Sequence, residues 1–414
     1  MWGRELLGLE LETHVGGAPS WKPLPVLLIA PLTPLGDGAV DAWLVLARAT
    51  GLAGLPLAYL LAARLAGPAA GVVAVVALAL SGGWFRGLEH GYCEPLVIAA
   101  LLGAALAWLD ARRGTAFALV LVASLARPEC WPVLAGMAVW MWRRDPRLRP
   151  HLVAGVAVVP LLWVGVDWWS SGRFLNAERV AGAVIRDMSG IELLGLGMRI
   201  PPLPALLLAA FAAGYAAVRR ELLPALLGAA VLGAAAALTI AAQLGYPPTE
   251  RVFLPLAGFV AVLAGVGAAQ LVRAPAAPGV RAAMAAGLAL ACLPFAVQRA
   301  QLIPDQVEAA REVEDMQVDL RRAAREARPA APRTAAVALP RHLMWARGVI
   351  AWEWDVPMRR IGEIDDPPRG TPLLLFVPRP WAASGMRALA TTERWTVLVD
   401  RPRQIRAFGR GRRG

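Results

Sequence analysis

Five short stretches of this chain place acids, a histidine and cations between apolar runs. Residues 10–25 read ELETHVGGAPSWKPLP and carry Glu10, Glu12, His14 and the sole lysine, Lys22. Residues 81–95 read SGGWFRGLEHGYCEP, with Arg86, Glu89, His90 and Glu94 close together. Residues 126–131, ARPECW, put Arg127 and Glu129 between two apolar half-spans, and 246–252, YPPTERV, put Glu250 and Arg251 at the mouth of another. Residues 176–187 add Glu178, Arg179, Arg186 and Asp187. Carboxylates of this kind can take a proton from a hydroxyl. Arginine offers a phosphate a bidentate fork and lysine a point charge. Ionisable groups at membrane depth are costly and face a bundle interior or a watery cavity. Convergent, these loops would make one pocket holding both acids and bases.

Each residue also has a structural reading. Glu10 and Glu12 can be solvated helix charges. Glu94 precedes Pro95 and can serve only to start a helix. His90 can be a structural donor. Arg127 and Glu129 can simply neutralise one another, and Arg251 can snorkel outward from a span end.

The elements that must position these groups follow from the hydropathy pattern. The chain has 414 residues, 57% hydrophobic and 17% charged. From Leu24 to Val297 charge is confined to short clusters, and from Gln298 onward it is dense. A span needs about 20 apolar residues, fewer when neighbours shield it. About ten candidates result: 42–63, 69–84, 95–109, 115–126, 131–142, 152–169, 203–218, 222–244, 252–272 and 282–298. The stretch 24–35 is broken by proline and reads as interfacial or re-entrant. The expected fold is an all-α polytopic membrane bundle with a small C-terminal α/β domain. Its expected divisions are an N-terminal loop over 1–41, a membrane domain over 42–298 and a soluble domain over 299–414.

The net charge of +12 is almost entirely arginine. Much of it lies in short loops beside apolar runs, where it sets membrane orientation rather than binding nucleic acid. Arg64, Arg112 and Arg113, Arg143 to Arg149, Arg219 and Arg220, and Arg273 to Arg281 fall in alternate loops, so all can be cytoplasmic together. The loops 85–94, 170–202 and 245–251, the first 41 residues and everything after 298 then face outward, in the plasma membrane. The first clear span would run inward, so an upstream span is expected before the given start. Three cysteines, Cys93, Cys130 and Cys292, are too few for a disulfide framework or metal cluster. A Cys93–Cys130 bridge is conceivable, and two small apolar thiols is the simpler reading.

The C-terminal region reads as a polar helix over 304–328 followed by β-rich runs at 334–339, 347–354, 372–377 and 395–400, with turns between them. It shows no nucleotide-binding glycine loop and no metal-ligand spacing. The basic end reads as a flexible tail.

The W-K-P turn, the G-x-E-H-x-x-x-E-P loop, the A-R-P-E break and the E-R-V-F-L-P start of a late span together resemble actinobacterial members of the GT-C glycosyltransferase superfamily. The soluble C-terminal unit after the last span is similar too. The resemblance implies inverting transfer of a sugar from a polyprenyl-phosphate donor, within the lipid bilayer, to an extracytoplasmic glycan, lipid or protein. It implies a catalytic acid in the first outer loop. No Asp-Asp or Asp-Glu pair stands there, which leaves Glu12, Glu89 or an upstream residue for the role. His14, Lys22, His90, Glu94, Arg127, Glu129, Arg179 and Arg251 become expected substrate-binding residues. Some relatives use a divalent cation and others none, so no cofactor follows. A transporter of lipid-linked precursors would predict internal repeats, and none is evident. A non-catalytic glycan-binding scaffold would fit the missing acidic pair.

Overall fold

In a bilayer core no water satisfies backbone polar groups, so apolar stretches of this length must form helices. The computed structural model describes residues 1–13, 21–174, 176, 188–246, 249–332, 335–364, 372–379 and 386–400. Among the described residues, five helical segments are long and apolar enough to cross a membrane: Gly38–Ala66, Pro146–Ser171, Leu222–Gln243, Glu250–Arg273 and Pro278–Ala330. Shorter apolar helices, Pro68–Ala79, Glu94–Leu109, Arg113–Ala126 and Leu203–Arg219 among them, complete the bundle. The chain is a membrane protein. Its contacts divide it into two units: one of Lys22–Val166 with Ile185–Val307, the other of Met1–Trp21, Asp167–Val184 and Glu308–Gly414.

In the first unit the helix Leu254–Arg273 is the centre. It packs against Gly54–Ala66, Pro68–Ala79, Glu94–Leu109 and Leu203–Arg219, and 89% of its apolar window is buried. Its small residues are the reason it fits. A Cβ at Gly265 would lie 2.2 Å from the Ala70 carbonyl oxygen, and one at Gly267 would lie 2.1 Å from that of Leu208. Helices in membranes associate through such close backbone approach. The helix Glu94–Leu109 separates two chemically different ends. At its C-terminal end Asp110 pairs with Arg64, and nearby Arg113 pairs with Asp145 at 3.0 Å and lies 4.9 Å over the Trp140 ring. At its N-terminal end, about 24 Å away for 16 residues of helix, stands Glu94. Cys93 and Cys130 are both buried free thiols.

In the second unit a five-stranded sheet forms from β1 (Ala336–Leu339), β2 (Ile361–Glu363), β3 (Leu373–Pro378), β4 (Arg387–Thr391) and β5 (Trp395–Asp400), in the order β2-β1-β3-β5-β4. β1 runs parallel to β2 and β3, and β5 is antiparallel to β3 and β4. A parallel pair needs a crossover, and the helix Arg347–Trp354 lies between β1 and β2 in sequence. The strand expected over 347–354 is therefore a helix. Its aromatic, β-branched composition imitates a strand, but its Ile350 and Ala351 are buried on a helix face. Trp354 donates to the Ala324 carbonyl at 2.9 Å and packs edge-on against Phe376.

The helix expected over 304–328 is the C-terminal part of one 50-residue helix, Pro278–Ala327, which passes through Pro294 and Pro304. Leu320, Ala323, Ala324 and Ala327 are buried, and Asp319 accepts from the Thr392 hydroxyl and the Arg394 amide at the β4–β5 turn. Residues 1–13 belong to this unit as well. Arg4 donates to Asp355 at 2.7 Å and to the Ala351 and Val356 carbonyls. Glu5 accepts from the Met358 amide at 2.8 Å. Burial raises the Glu5 carboxyl above its usual range, against the opposing Met358 hydrogen bond. Burial pushes the Arg347 guanidinium down to about 10, so it stays charged at neutral pH.

Candidate functional site

The buried carboxylate of Glu94 gathers three cations. Glu94 opens its helix with Pro95 behind it, and proline's fixed φ suits the first helical turn. Arg127 sits at the break between Arg113–Ala126 and Trp131–Arg144, with extended backbone angles of −144° and 123°. The following Pro128 disfavours the helical conformation at this position, which turns the side chain out of the helix. Its Nη1 donates to Glu94 Oε1 at 2.8 Å. Its Nε and Nη2 donate to the two oxygens of Glu129 at 3.0 and 2.8 Å. Tyr246 donates its hydroxyl to Glu129 at 2.9 Å. The Glu94 side chain is 0% exposed and that of Arg127 6%. Arg127 and Glu129 do neutralise one another, yet Arg127 also holds Glu94.

Lys22 and Arg251 complete the ring differently. Lys22 Nζ is 3.8 Å and Arg251 Nε 3.9 Å from the same Glu94 Oε1, too far for good hydrogen bonds. Both side chains reach solvent, at 23% and 39% exposure. Arg251 lies 4.6 Å over the Tyr92 ring, a cation–π contact that orients it. Lys22 immediately precedes the short helix Pro23–Ile29, so the W-K-P turn delivers it. Among the described residues, three cations face two carboxylates, one positive charge in excess. The two accessible cations are the ones whose hydrogens the carboxylates do not take up closely. An excess of accessible positive charge in this geometry is suited to an anion, and a phosphate has the matching chemistry.

The other expected residues make contacts of their own or fall outside the described residues. Glu89 ends the helix Trp84–Glu89. Its carbonyl accepts from Arg48 at 3.0 Å, and its buried carboxyl Oε2 has no hydrogen-bond partner among the described residues. His90 shares a hydrogen bond with the Arg86 carbonyl through Nδ1 and lies 5.3 Å from the Tyr92 ring. Glu12 belongs to the sheet-bearing unit and pairs with Arg359; that hydrogen bond holds the Arg359 guanidinium above its usual value. His14 and Arg179 fall outside the described residues, as do Glu178, Arg186 and Asp187. Among the described residues no three or more His, Cys, Asp or Glu gather as metal ligands. With Arg127 occupying both Glu94 and Glu129, the residues present do not fit a divalent cation.

Two participants were not singled out from sequence: Tyr92 and Tyr246 stand inside motifs read for their charges. In the sheet-bearing unit, and not part of this cluster, Asp167 is also a buried acid that sequence reading passed over; it is 1% exposed and accepts from the Thr13 hydroxyl and, at 3.4 Å, from the Asn176 amide. Its signal was a lone acid in the apolar run LLWVGVDWW, just past the π-helical turn Leu161–Gly165, and such turns cluster at functional sites.

No protein-family model matches this sequence, and no curated protein does. Among solved structures the chain is similar to ArnT from Cupriavidus metallidurans. With ArnT bound to undecaprenyl phosphate the TM-score is 0.56 at 16% identity, covering 96% of this chain and 92% of that one. With ArnT in the apo state it is 0.56 at 15% identity, covering 96% and 91%. The chain has the GT-C fold.

Proposed function

We propose that this protein is an integral membrane glycosyltransferase that moves a sugar from a polyprenyl-phosphate donor to an acceptor of the cell envelope, with inversion at the anomeric carbon. The observation that carries it is the pair of accessible cations, Lys22 and Arg251, converging on one buried carboxylate that Arg127 anchors. The fold supports it, since a protein of similar structure binds undecaprenyl phosphate.

In this reading Lys22 and Arg251 hold the donor phosphate. Arg127 contacts no substrate; it positions Glu94, whose Oε1 lies within 4 Å of both other cations. The acceptor hydroxyl oxygen bonds to the anomeric carbon as the bond from that carbon to the phosphate oxygen breaks. The leaving polyprenyl phosphate gains negative charge, and Lys22 and Arg251 stabilise it there. The hydroxyl proton passes to a carboxylate. Glu89 is assigned this task, because among the described residues its Oε2 has no hydrogen-bond partner while Glu12 is taken up by Arg359. The arginine-rich loops at the Asp110 end face the cytoplasm by the positive-inside rule, which puts the Glu94 end and the acceptor outside.

The test uses membrane vesicles loaded with a polyprenyl-phosphate sugar. A charge-assisted hydrogen bond contributes about 1.5–3 kcal/mol, so Lys22→Met and Arg251→Met are each expected to slow transfer about 10- to 150-fold. Glu89→Gln is expected to abolish it. Full transfer by Glu89→Gln together with the Lys22→Met/Arg251→Met double variant overturns the proposal.

A further inference from the structure

A second basic site lies in the helical unit and shares no residue with the Glu94 cluster. A cavity of about 270 Å³ opens between the segment Met198–Leu203 and the end of the last apolar span, near Phe295 and Arg299. Arg199 and Arg299 both line it, with Pro201, Leu203 and Phe295 forming an apolar wall. Arg299 donates to the Arg199 carbonyl at 2.5 Å. Among the described residues neither arginine makes an ion pair with a carboxylate. Both therefore keep guanidinium hydrogens for an anion.

The site is built rather than incidental. The Gly82 amide donates to the Ile200 carbonyl at 2.7 Å, tying the 198–203 segment in place. A Cβ at Gly82 would come within 2.9 Å of Arg299 Nη1, so a side chain there would push the guanidinium from its present place. The surroundings name the ligand's other half. The apolar window of the last span is 0% buried. Leu203 and Leu207, one turn apart on one helix face, are 52% and 62% exposed. An apolar track thus leads from the cavity along a span, and the arginines stand at its end, where a bilayer meets water. The volume of about 270 Å³ falls just below that of drug-sized ligand pockets, about 300–1,000 Å³, so it suits a headgroup with its chains left outside.

We infer that Arg199 and Arg299 hold the phosphate of an anionic membrane phospholipid, whose acyl chain follows Leu203 and Leu207. The inference goes beyond the transferase reading and does not depend on it. Native mass spectrometry of the full-length protein, purified in detergent and exposed to phosphatidylglycerol or phosphatidylcholine, tests it. Arg199→Gln/Arg299→Gln is expected to weaken phosphatidylglycerol retention at least about tenfold, the equivalent of one charge-assisted bond, and to leave phosphatidylcholine unchanged. Gly82→Ala, which displaces one guanidinium without removing charge, is expected to weaken it in the same direction. This keeps the test valid if the double variant fails to fold. Lys22→Met, in the other cluster, is expected to have no effect on it. Inorganic phosphate at millimolar concentration is expected not to displace the lipid. Undiminished phosphatidylglycerol retention in the folded double variant or in Gly82→Ala overturns the inference, as does displacement by inorganic phosphate, which would identify a free-phosphate site.

Discussion

Glu94 offers the sharpest test of the candidate site. It is a carboxylate with no exposed side-chain area, 2.8 Å from Arg127 and less than 4 Å from Lys22 and Arg251. Glu94→Ala strips Arg127 of one partner and leaves three cations against Glu129 alone. Breaking a buried ion pair by removing one member costs about 3–5 kcal/mol. Arg127 keeps both oxygens of Glu129, which puts the expectation near the lower figure. Glu94→Gln keeps the shape and one acceptor. It exchanges a charge-assisted bond of about 1.5–3 kcal/mol for a neutral one of about 0.5–1.5, an expected loss of about 1–2 kcal/mol. The assay is reversible unfolding in mixed micelles, run with a double-mutant cycle against Arg127→Met. Coupling of at least about 1 kcal/mol between the two positions is expected, since residues in contact within one network do not act additively. An unfolding free energy for Glu94→Ala within about 0.5 kcal/mol of the parent would refute the assignment of Glu94 as the anchor of the cluster.

Other expectations concern the rest of the molecule. Gly265→Ala and Gly267→Ala each bring a methyl group within 2.2 Å or less of a neighbouring carbonyl oxygen and are expected to cost more than about 1–3 kcal/mol in the same assay. Gly233→Ala, with open space around it, is expected to be neutral or stabilising because alanine is the better helix former. Because burial raises Glu5 above the usual carboxyl range, its protonated form favours the folded state; that stability is complete below the unfolded value and is lost as pH rises through the folded one. Glu5→Gln, which keeps an acceptor for the Met358 amide, is therefore expected to stabilise the protein near neutral pH and not near about pH 4, read as thermal midpoints across a pH series. Ser189 and Glu192 form a reciprocal cap on the helix Gly190–Gly197, and Ser189→Ala is expected to cost about 1 kcal/mol.

The membrane architecture was legible because its cause is local. Apolar length and arginine placement are properties of consecutive residues, and the helices stand where the hydropathy runs put them. The pairing of Arg127 with Glu129 was legible too, since two residues flanking one proline break cannot lie far apart. The third partner was not. Glu94 lies 33 residues from Arg127, and only the packing of Glu94–Leu109 against Arg113–Ala126 joins them. The two tyrosines were overlooked because polar motifs draw the eye to formal charge. The 347–354 segment misled because aromatic and β-branched residues serve a buried helix face as well as a strand. Two prolines and an abrupt rise in charge disguised the continuity of Pro278–Ala327; proline inside a helix removes one hydrogen bond without having to end it.

The central helix Leu254–Arg273 has a consequence for how the protein is made. The four helices against which it packs most closely, Gly54–Ala66, Pro68–Ala79, Glu94–Leu109 and Leu203–Arg219, all precede it in the chain. During synthesis its berth is translated before its occupant. With mean hydropathy of 2.2 over its window, the segment enters the bilayer on its own merits and only afterwards leaves lipid for protein. An added methyl at Gly265 or Gly267 would not hinder that first step. It would stall the second, yielding a chain correctly threaded through the membrane yet unassembled, a state that membrane quality control and not activity would be the first to register.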